Sequence, residues 1–179
     1  MGDSIITIVA IVLAAILMFV FPLMTMSDRT DDISQLTVQT ATTEFVDNVR
    51  TTGKLTLDDY AAFEQKITAT GNSYDIEMEV KVLDENPGKK TTQANSTKIG
   101  ENVYYSMYTS QILDAIASTN GSKKVLALKE GDMFSTSVKN TNTTLSQQLK
   151  NFFYTVAGND TYTIAAQHGG YVTANGSGD

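Results

Sequence analysis

The chain has 179 residues, 13 Lys and Arg against 20 Asp and Glu, one His, no Cys and a formal net charge of -7, a length that holds one ordinary domain plus an appendage. With no basic cluster larger than Lys89-Lys90 or Lys123-Lys124, the acidic balance leaves too few cations to neutralise a run of phosphates, which argues against nucleic-acid binding. The lack of cysteine excludes disulfides, thiolate metal sites and thiol catalysis.

The first element is the stretch Ile5–Met26, 22 positions without a charged residue. At about 1.5 Å per residue it reaches roughly 33 Å, close to the hydrocarbon thickness of about 30 Å. A cleaved signal peptide would need a basic leader and a small-x-small cleavage site. Only Met1, Gly2, Asp3 and Ser4 precede the run, and no Ala-x-Ala site precedes Ser27, so residues 1–26 are read as a retained transmembrane helix. Pro22 falls near the end of the run, where a lost donor is tolerated and a kink is expected. The flanks, with Asp3 on one side and Asp28, Arg29, Asp31 and Asp32 on the other, set no orientation by charge.

Residues 27–52 are predicted to continue the same helix in amphipathic form. Ile33, Leu36, Ala41, Phe45 and Val49 recur near the 3.6-residue period, and no Gly or Pro interrupts the chain between Pro22 and Gly53. The result is one helix of about 45 residues whose second half needs a partner for its stripe.

The head is assigned to residues 53–174. Gly53 ends the long helix, and Thr56 with Asp59 three residues on reads as a capping box. Leu57, Tyr60, Phe63 and Ile67 then form one face of a short helix closed by Gly71. Tyr74, Ile76, Met78, Val80 and Val82 alternate with Asp75, Glu77, Glu79 and Lys81, the pattern of a strand buried on one face and wet on the other. Asn86-Pro87-Gly88 signals a turn, followed by a polar loop, expected to be mobile, through Gly100. A short strand over 103–108 and a helix carrying Ile112, Leu113 and Ile116 lead to the Asn120-Gly121 turn. Val125 to Leu128 and Phe134, Thr136 and Val138 read as two strands joined at Glu130-Gly131-Asp132. A helix starting at Thr144 and Gln147 is expected to turn Leu145, Leu149, Phe152, Phe153 and Val156 inward. A closing hairpin is expected from Tyr162, Ile164 and Ala166, a turn at Gly169-Gly170, and Tyr171 to Thr173. Residues 175–179 are a tail expected to be disordered. Strands interspersed with short helices after a long helix predict an α+β head, an antiparallel sheet packed on helices.

Candidate chemistry is sparse. His168 beside two glycines reads as an exposed turn histidine, with no nucleophile elbow near it. The carboxylate pairs Asp31-Asp32, Asp58-Asp59 and Glu77/Glu79 follow a membrane span, fill the first turn of a helix and line the wet face of a strand. Asp84-Glu85-Asn86 and Glu130-Gly131-Asp132 are the candidates for calcium, without EF-hand spacing. Tyr104, Tyr105 and Tyr108 cluster without interleaved basic residues and read as packing. Five Asn-x-Ser/Thr triplets, at Asn95, Asn120, Asn142, Asn159 and Asn175, mark surface loops. The expectation is a non-enzymatic protein with no cofactor and no small-molecule substrate.

A membrane helix that runs on into an amphipathic helix under an α+β head resembles the plan of type IV pilins and pseudopilins. The segments Phe45–Glu79 (FVDNVRTTGKLTLDDYAAFEQKITATGNSYDIEME) and Lys129–Lys139 (KEGDMFSTSVK) are similar to small membrane-anchored proteins of Gram-positive bacteria associated with Tad-type pilus or type II secretion-like systems. The resemblance implies assembly rather than catalysis: apolar helices pack together in the bilayer or in a filament core. The partners are then the lipid bilayer and other copies or related pilin-like subunits, with the head outside the cell. The helix face implied carries Ile5, Ile8, Ala10, Ile11, Ala14, Ala15, Met18, Phe19, Phe21 and Pro22, its alanines allowing close approach. Gly2 and Asp3 flank the candidate processing site. Cleavage there would place Thr7 fifth in the mature chain, where major pilins carry glutamate.

Overall fold

The computed structural model describes residues 2–84, 104–118, 124–154 and 163–176. Helix α1 runs unbroken from Gly2 to Thr52, 51 residues, and carries Pro22 within it. It ends where the sequence demands. Gly53 adopts φ 66°, a left-handed conformation that costs glycine nothing, and its N–H donates back to Val49 O at 2.8 Å.

After α1 come β1 (Lys54–Thr56), α2 (Leu57–Thr68), β2 (Tyr74–Leu83), β3 (Tyr104–Tyr108), α3 (Thr109–Ser118), β4 (Val125–Ala127), β5 (Met133–Asn140), α4 (Leu145–Tyr154) and β6 (Ala165–Tyr171). The described strands form an antiparallel sheet in the order β3-β2-β5-β6 and a two-stranded antiparallel sheet β1-β4. The head is α+β, as its sequence pattern predicts. The capping box closes α2 as expected: Asp59 N donates to Thr56 Oγ1 at 3.0 Å, and the Thr56 hydroxyl donates to the Asp59 carboxylate at 2.5 Å. The β2 alternation also holds, with Met78 and Val80 buried and Tyr74, Ile76 and Val82 packed against the core.

The two strands expected over 125–128 and 134–138 are present, joined through Glu130-Gly131-Asp132, and each pairs with a partner elsewhere. Strand β4 pairs with β1, matching Leu55 to Leu126, and β5 lies between β2 and β6. Strand β1 carries no legible signal of its own, because three residues are too few for a period and its partner lies far along the chain. Several expectations give way. The closing hairpin is replaced by one strand: β6 passes straight through Gly169 and Gly170, which pair with Ser135 and Phe134. These glycines serve close approach rather than a turn. A Cβ on Gly169 would lie 2.6 Å from Ser135 Cβ, and one on Gly170 would lie 2.7 Å from Arg50 Cζ. Leu145, expected inward, is 54% exposed. Asn175 and Gly176, assigned to the tail, are bonded: Gly176 N donates to Leu128 O, and Asn175 Oδ1 accepts from Glu130 N, both at 2.8 Å.

The turns at 86–88 and 120–121, the loop through Gly100, Tyr162, Val156 and the sites Asn95, Asn120 and Asn159 lie outside the described residues. The side chains of Leu149, Phe152 and Phe153 do so as well.

The core sits between the inner face of the large sheet and the C-terminal half of α1. Val38, Ala41, Phe45, Val46 and Val49 bury themselves against Met78, Val80, Phe134, Val138, Ile164 and Val172. Phe45 stacks on Phe63 of α2 with ring centroids 4.5 Å apart and meets the edge of Phe134 at 5.7 Å. Each such side chain contributes roughly 1.5–3 kcal/mol by leaving water. The head is therefore built around α1 and not appended to it by a linker.

Candidate functional site

Helix α1 divides into three zones by what its side chains touch. In the first, the apolar surface of Ile5, Ile8, Ala10, Ile11, Ala14, Ala15, Met18, Phe19 and Phe21 is exposed, Ile5 at 63% and Phe19 at 74%, and Pro22 is exposed with it. No part of its most apolar 18-residue window is buried, and the helix is long and apolar enough to cross a membrane. A run this apolar and this uncovered is unlike the core helix of a water-soluble domain, which buries its apolar face. The polar interruptions are self-satisfied: Thr7 Oγ1 donates to Asp3 O at 2.8 Å, and Thr25 Oγ1 to Phe21 O at 3.1 Å. Asp3 lies in the first helical turn, where the helix dipole favours a carboxylate.

The second zone is where the helix first meets the head, and here the expected stripe is reversed. Ser27, Asp31 and Ser34 are buried, whereas Ile33 and Leu36 are 66% and 65% exposed. The burial has a polar cause. Asp31 accepts from Thr144 Oγ1 at 2.7 Å, and the Asp28 carboxylate accepts from the Ser146 hydroxyl. Thr144 and Gln147 cap α4 reciprocally: Gln147 N donates to Thr144 Oγ1 at 3.2 Å, and Thr144 N to Gln147 Oε1 at 3.1 Å. Two acids of α1 thus sit at the N-terminal end of α4, where unpaired N–H groups and the helix dipole favour negative charge. The pair of interest is Asp28 with Asp31, one turn apart. Asp32, paired with Asp31 by the sequence, is exposed.

Further along, Gln35 spans the edge of β6, accepting from Ala165 N at 3.0 Å and donating to Ala165 O at 2.7 Å. One side-chain amide there takes the place of a neighbouring strand.

The third zone is the apolar core face, finished by a charged cluster. Arg50 Nη1 donates to Asp47 Oδ1 at 2.8 Å, Arg50 Nε donates to Tyr171 O at 2.9 Å, and His168 Nε2 lies 3.1 Å from Asp47 Oδ1. The hydrogen bond from His168, helped by Arg50, holds the Asp47 carboxyl below the usual carboxylate range against a smaller opposing effect of burial. His168 is therefore a half-buried strand residue tying β6 to α1, not an exposed turn histidine. The anion beside it is engaged by Arg50, and no serine or threonine hydroxyl is bonded to the ring among the described residues, so the cluster fits a structural tie.

The other candidates have structural employment. In the Glu130-Gly131-Asp132 segment, Asp132 is buried and accepts from the N–H groups of Leu83 and Lys129 at 2.9 and 2.8 Å. Among the described residues no group of three or more His, Asp or Glu could hold a metal ion. Glu79 accepts from Ser106 Oγ at 2.8 Å, and Asp58 and Asp59 occupy the first turn of α2. Burial, with Glu64 and Asp75 nearby, pushes the Tyr60 phenol up. Of the tyrosine cluster, Tyr104 reaches Gly131 O at 3.4 Å, while Tyr105 and Tyr108 stay exposed.

Among the described residues the structure defines a class: one helix long and apolar enough to cross a membrane, continuing as the central core element of an α+β head. Comparison of the chain with protein-family models, with curated proteins and with solved structures found no match.

Proposed function

We propose that this chain is a pilin-like structural subunit of a type IV or Tad-type cell-surface or secretion filament, assembling through its N-terminal apolar helix, with the head on the extracellular side. The observation that carries the reading is the asymmetry of α1: residues 38–49 lie in the core of the head, whereas the apolar surface from Ile5 to Met26 is almost entirely exposed among the described residues, with only Val20 and Met24 partly covered. A shared rigid helix couples the position of each head to the packing of the apolar segments, which a polymer needs and a simple tether does not. Ala10, Ala14 and Ala15 let neighbouring helices approach closely. The partners are the lipid bilayer and other copies or related subunits.

The cysteine-free sequence allows a direct test, since single cysteines can be introduced without background. Copies carrying A14C should crosslink within native membranes, and copies carrying D58C should not. Equal, inefficient crosslinking at both positions would sink the reading. It would favour the second one, a monomeric membrane-anchored extracellular binding or accessory module, which draws support from an open cleft on the head. For such a module, replacing residues 5–26 by an unrelated span preserves function; for a filament subunit it abolishes it.

A further inference from the structure

Strand β3 covers only part of β2, pairing from Glu79 to Leu83. In the β2–β5 ladder the bond from Thr141 N to Ser73 O fixes the odd-numbered residues of β2 as those bonded to β5. The even-numbered residues therefore turn their N–H and C=O groups the other way. For Val80 and Val82 these groups meet β3, and Met78 N is met by Thr109 Oγ1 at 2.7 Å. For Tyr74 and Ile76 the outward backbone groups have no partner among the described residues, which leave a short stretch of strand edge uncovered.

That edge borders an open cleft of about 720 Å³. Ile76 and Leu113 supply its accessible apolar lining, and Asp75, Glu77 and Glu79 bring three carboxylates, with no Lys or Arg among the lining residues. Glu79 is tied to Ser106 and lies 3.8 Å from Lys81, whereas Glu77 has no ion pair among the described residues. The edge thus presents unpaired main-chain groups, an apolar wall and an acidic wall on alternating positions, the three features an added strand reads.

We propose that this edge of β2 accepts an extended peptide segment of a basic partner protein as an added antiparallel strand, with lysine or arginine at alternate positions facing Glu77 and Glu79 and apolar residues between them facing Ile76 and Leu113. Charge complementarity selects the occupant. A second copy of the same edge would set acid against acid across the new ladder, and the net charge of -7 disfavours it further. The binding holds whether or not the chain polymerises, because it uses the head alone.

The probe is a capped peptide alternating lysine and valine, titrated into the full chain in zwitterionic detergent, with binding followed by hydrogen exchange at the Ile76 amide and by fluorescence anisotropy of the labelled peptide. Saturable binding that slows exchange at Ile76 is expected, with affinity falling roughly tenfold or more for E77K, for a peptide alternating glutamate and valine, and for a peptide N-methylated on the residues that pair with β2. Absence of saturable binding overturns the proposal. Full retention of affinity by the N-methylated peptide overturns it too, since only a diffuse charge contact would remain. That arm needs no change to the protein, so misfolding of a variant cannot decide the result.

Discussion

The carboxylate of Asp31 accepts a hydrogen bond of 2.7 Å from the hydroxyl of Thr144, although 113 residues separate the two in sequence. Asp31 is only 7% exposed, on a face of α1 that a purely apolar stripe would have left to solvent. The contact fixes α4 to the long helix five residues past Met26, where the uncharged run ends. It also explains why the helix turns Ile33 and Leu36 outward there.

Replacing Asp31 with alanine should therefore loosen the lower end of the head. Loss of a buried acceptor that leaves its donor unpaired costs roughly 1–3 kcal/mol. Urea unfolding of the full chain in detergent should show that loss for D31A and about half of it or less for D31N, which keeps an acceptor. Hydrogen exchange should rise first in α4. Identical unfolding midpoints for D31A and the wild type would remove the contact from the list of stabilising ones.

The two glycines of β6 should differ in their tolerance of a side chain. Ala at 169 meets backbone as well as side chain, with Ser135 Cα at 3.1 Å and Phe134 O at 3.2 Å, whereas at 170 the three nearest atoms all belong to the end of the Arg50 side chain. Overpacking against a paired strand costs about 1–3 kcal/mol, while a flexible guanidinium can move aside. Thermal unfolding should rank G169A clearly below G170A, and an equal effect would mean that β6 shifts on its neighbour more easily than the pairing suggests.

The cluster of Asp47, Arg50 and His168 has a signed dependence on pH. Its partners favour the ionised form of Asp47, so the folded-state pKa lies below the unfolded one. That stabilisation is present above about pH 4 and is lost as pH falls through the folded value. Asp47 is 47% exposed in its side chain, so the contribution stays below about 1 kcal/mol. D47N should be slightly less stable than the wild type at pH 7 and should lose less stability than it on going to pH 3, as read from urea midpoints. A parallel decline in both proteins would place the acid sensitivity elsewhere.

The outward pair Ile33 and Leu36 separates stability from assembly. Substituting both with serine touches no core contact, so the head should keep its stability within about 0.5 kcal/mol per site. A charge at Ala14 acts on the other zone: aspartate in the middle of a membrane helix costs about 2.5–3.5 kcal/mol for insertion. A14D should reduce membrane fractionation and abolish crosslinking between copies that carry their cysteine elsewhere in the span, as A10C, with the head still folded by hydrogen exchange. Crosslinking that survives A14D would show that the apolar helix is not the assembling element.

Much of this architecture was legible residue by residue. The alternation from Tyr74 to Val82 and the Thr56–Asp59 capping box are local signals, and local physics decides them. The stripe on α1 was legible only where apolar burial drives docking, from Ala41 to Val49. Nearer the membrane the docking surface is polar, and hydrophobic periodicity points to the wrong face. Gly169 and Gly170 were misread because a glycine pair carries the same composition whether it turns the chain or lets two strands close up. The role of His168 and the pairing of β1 with β4 depend on partners distant in sequence, which no window of neighbours contains. The apolar helix itself, on which the proposed function rests, was fully visible, since its length and lack of charge are properties of the sequence alone.

The most direct measurement is electron microscopy of material sheared from the surface of the native cells, with mass spectrometry of the N-terminus of this chain in the same fraction. Filaments that contain the chain are expected, and its first residue reports whether the bond after Gly2 is cut. Recovery of the chain only from membranes, intact from Met1 and without any filament, would contradict the structural-subunit reading and leave an anchored accessory or binding module in its place.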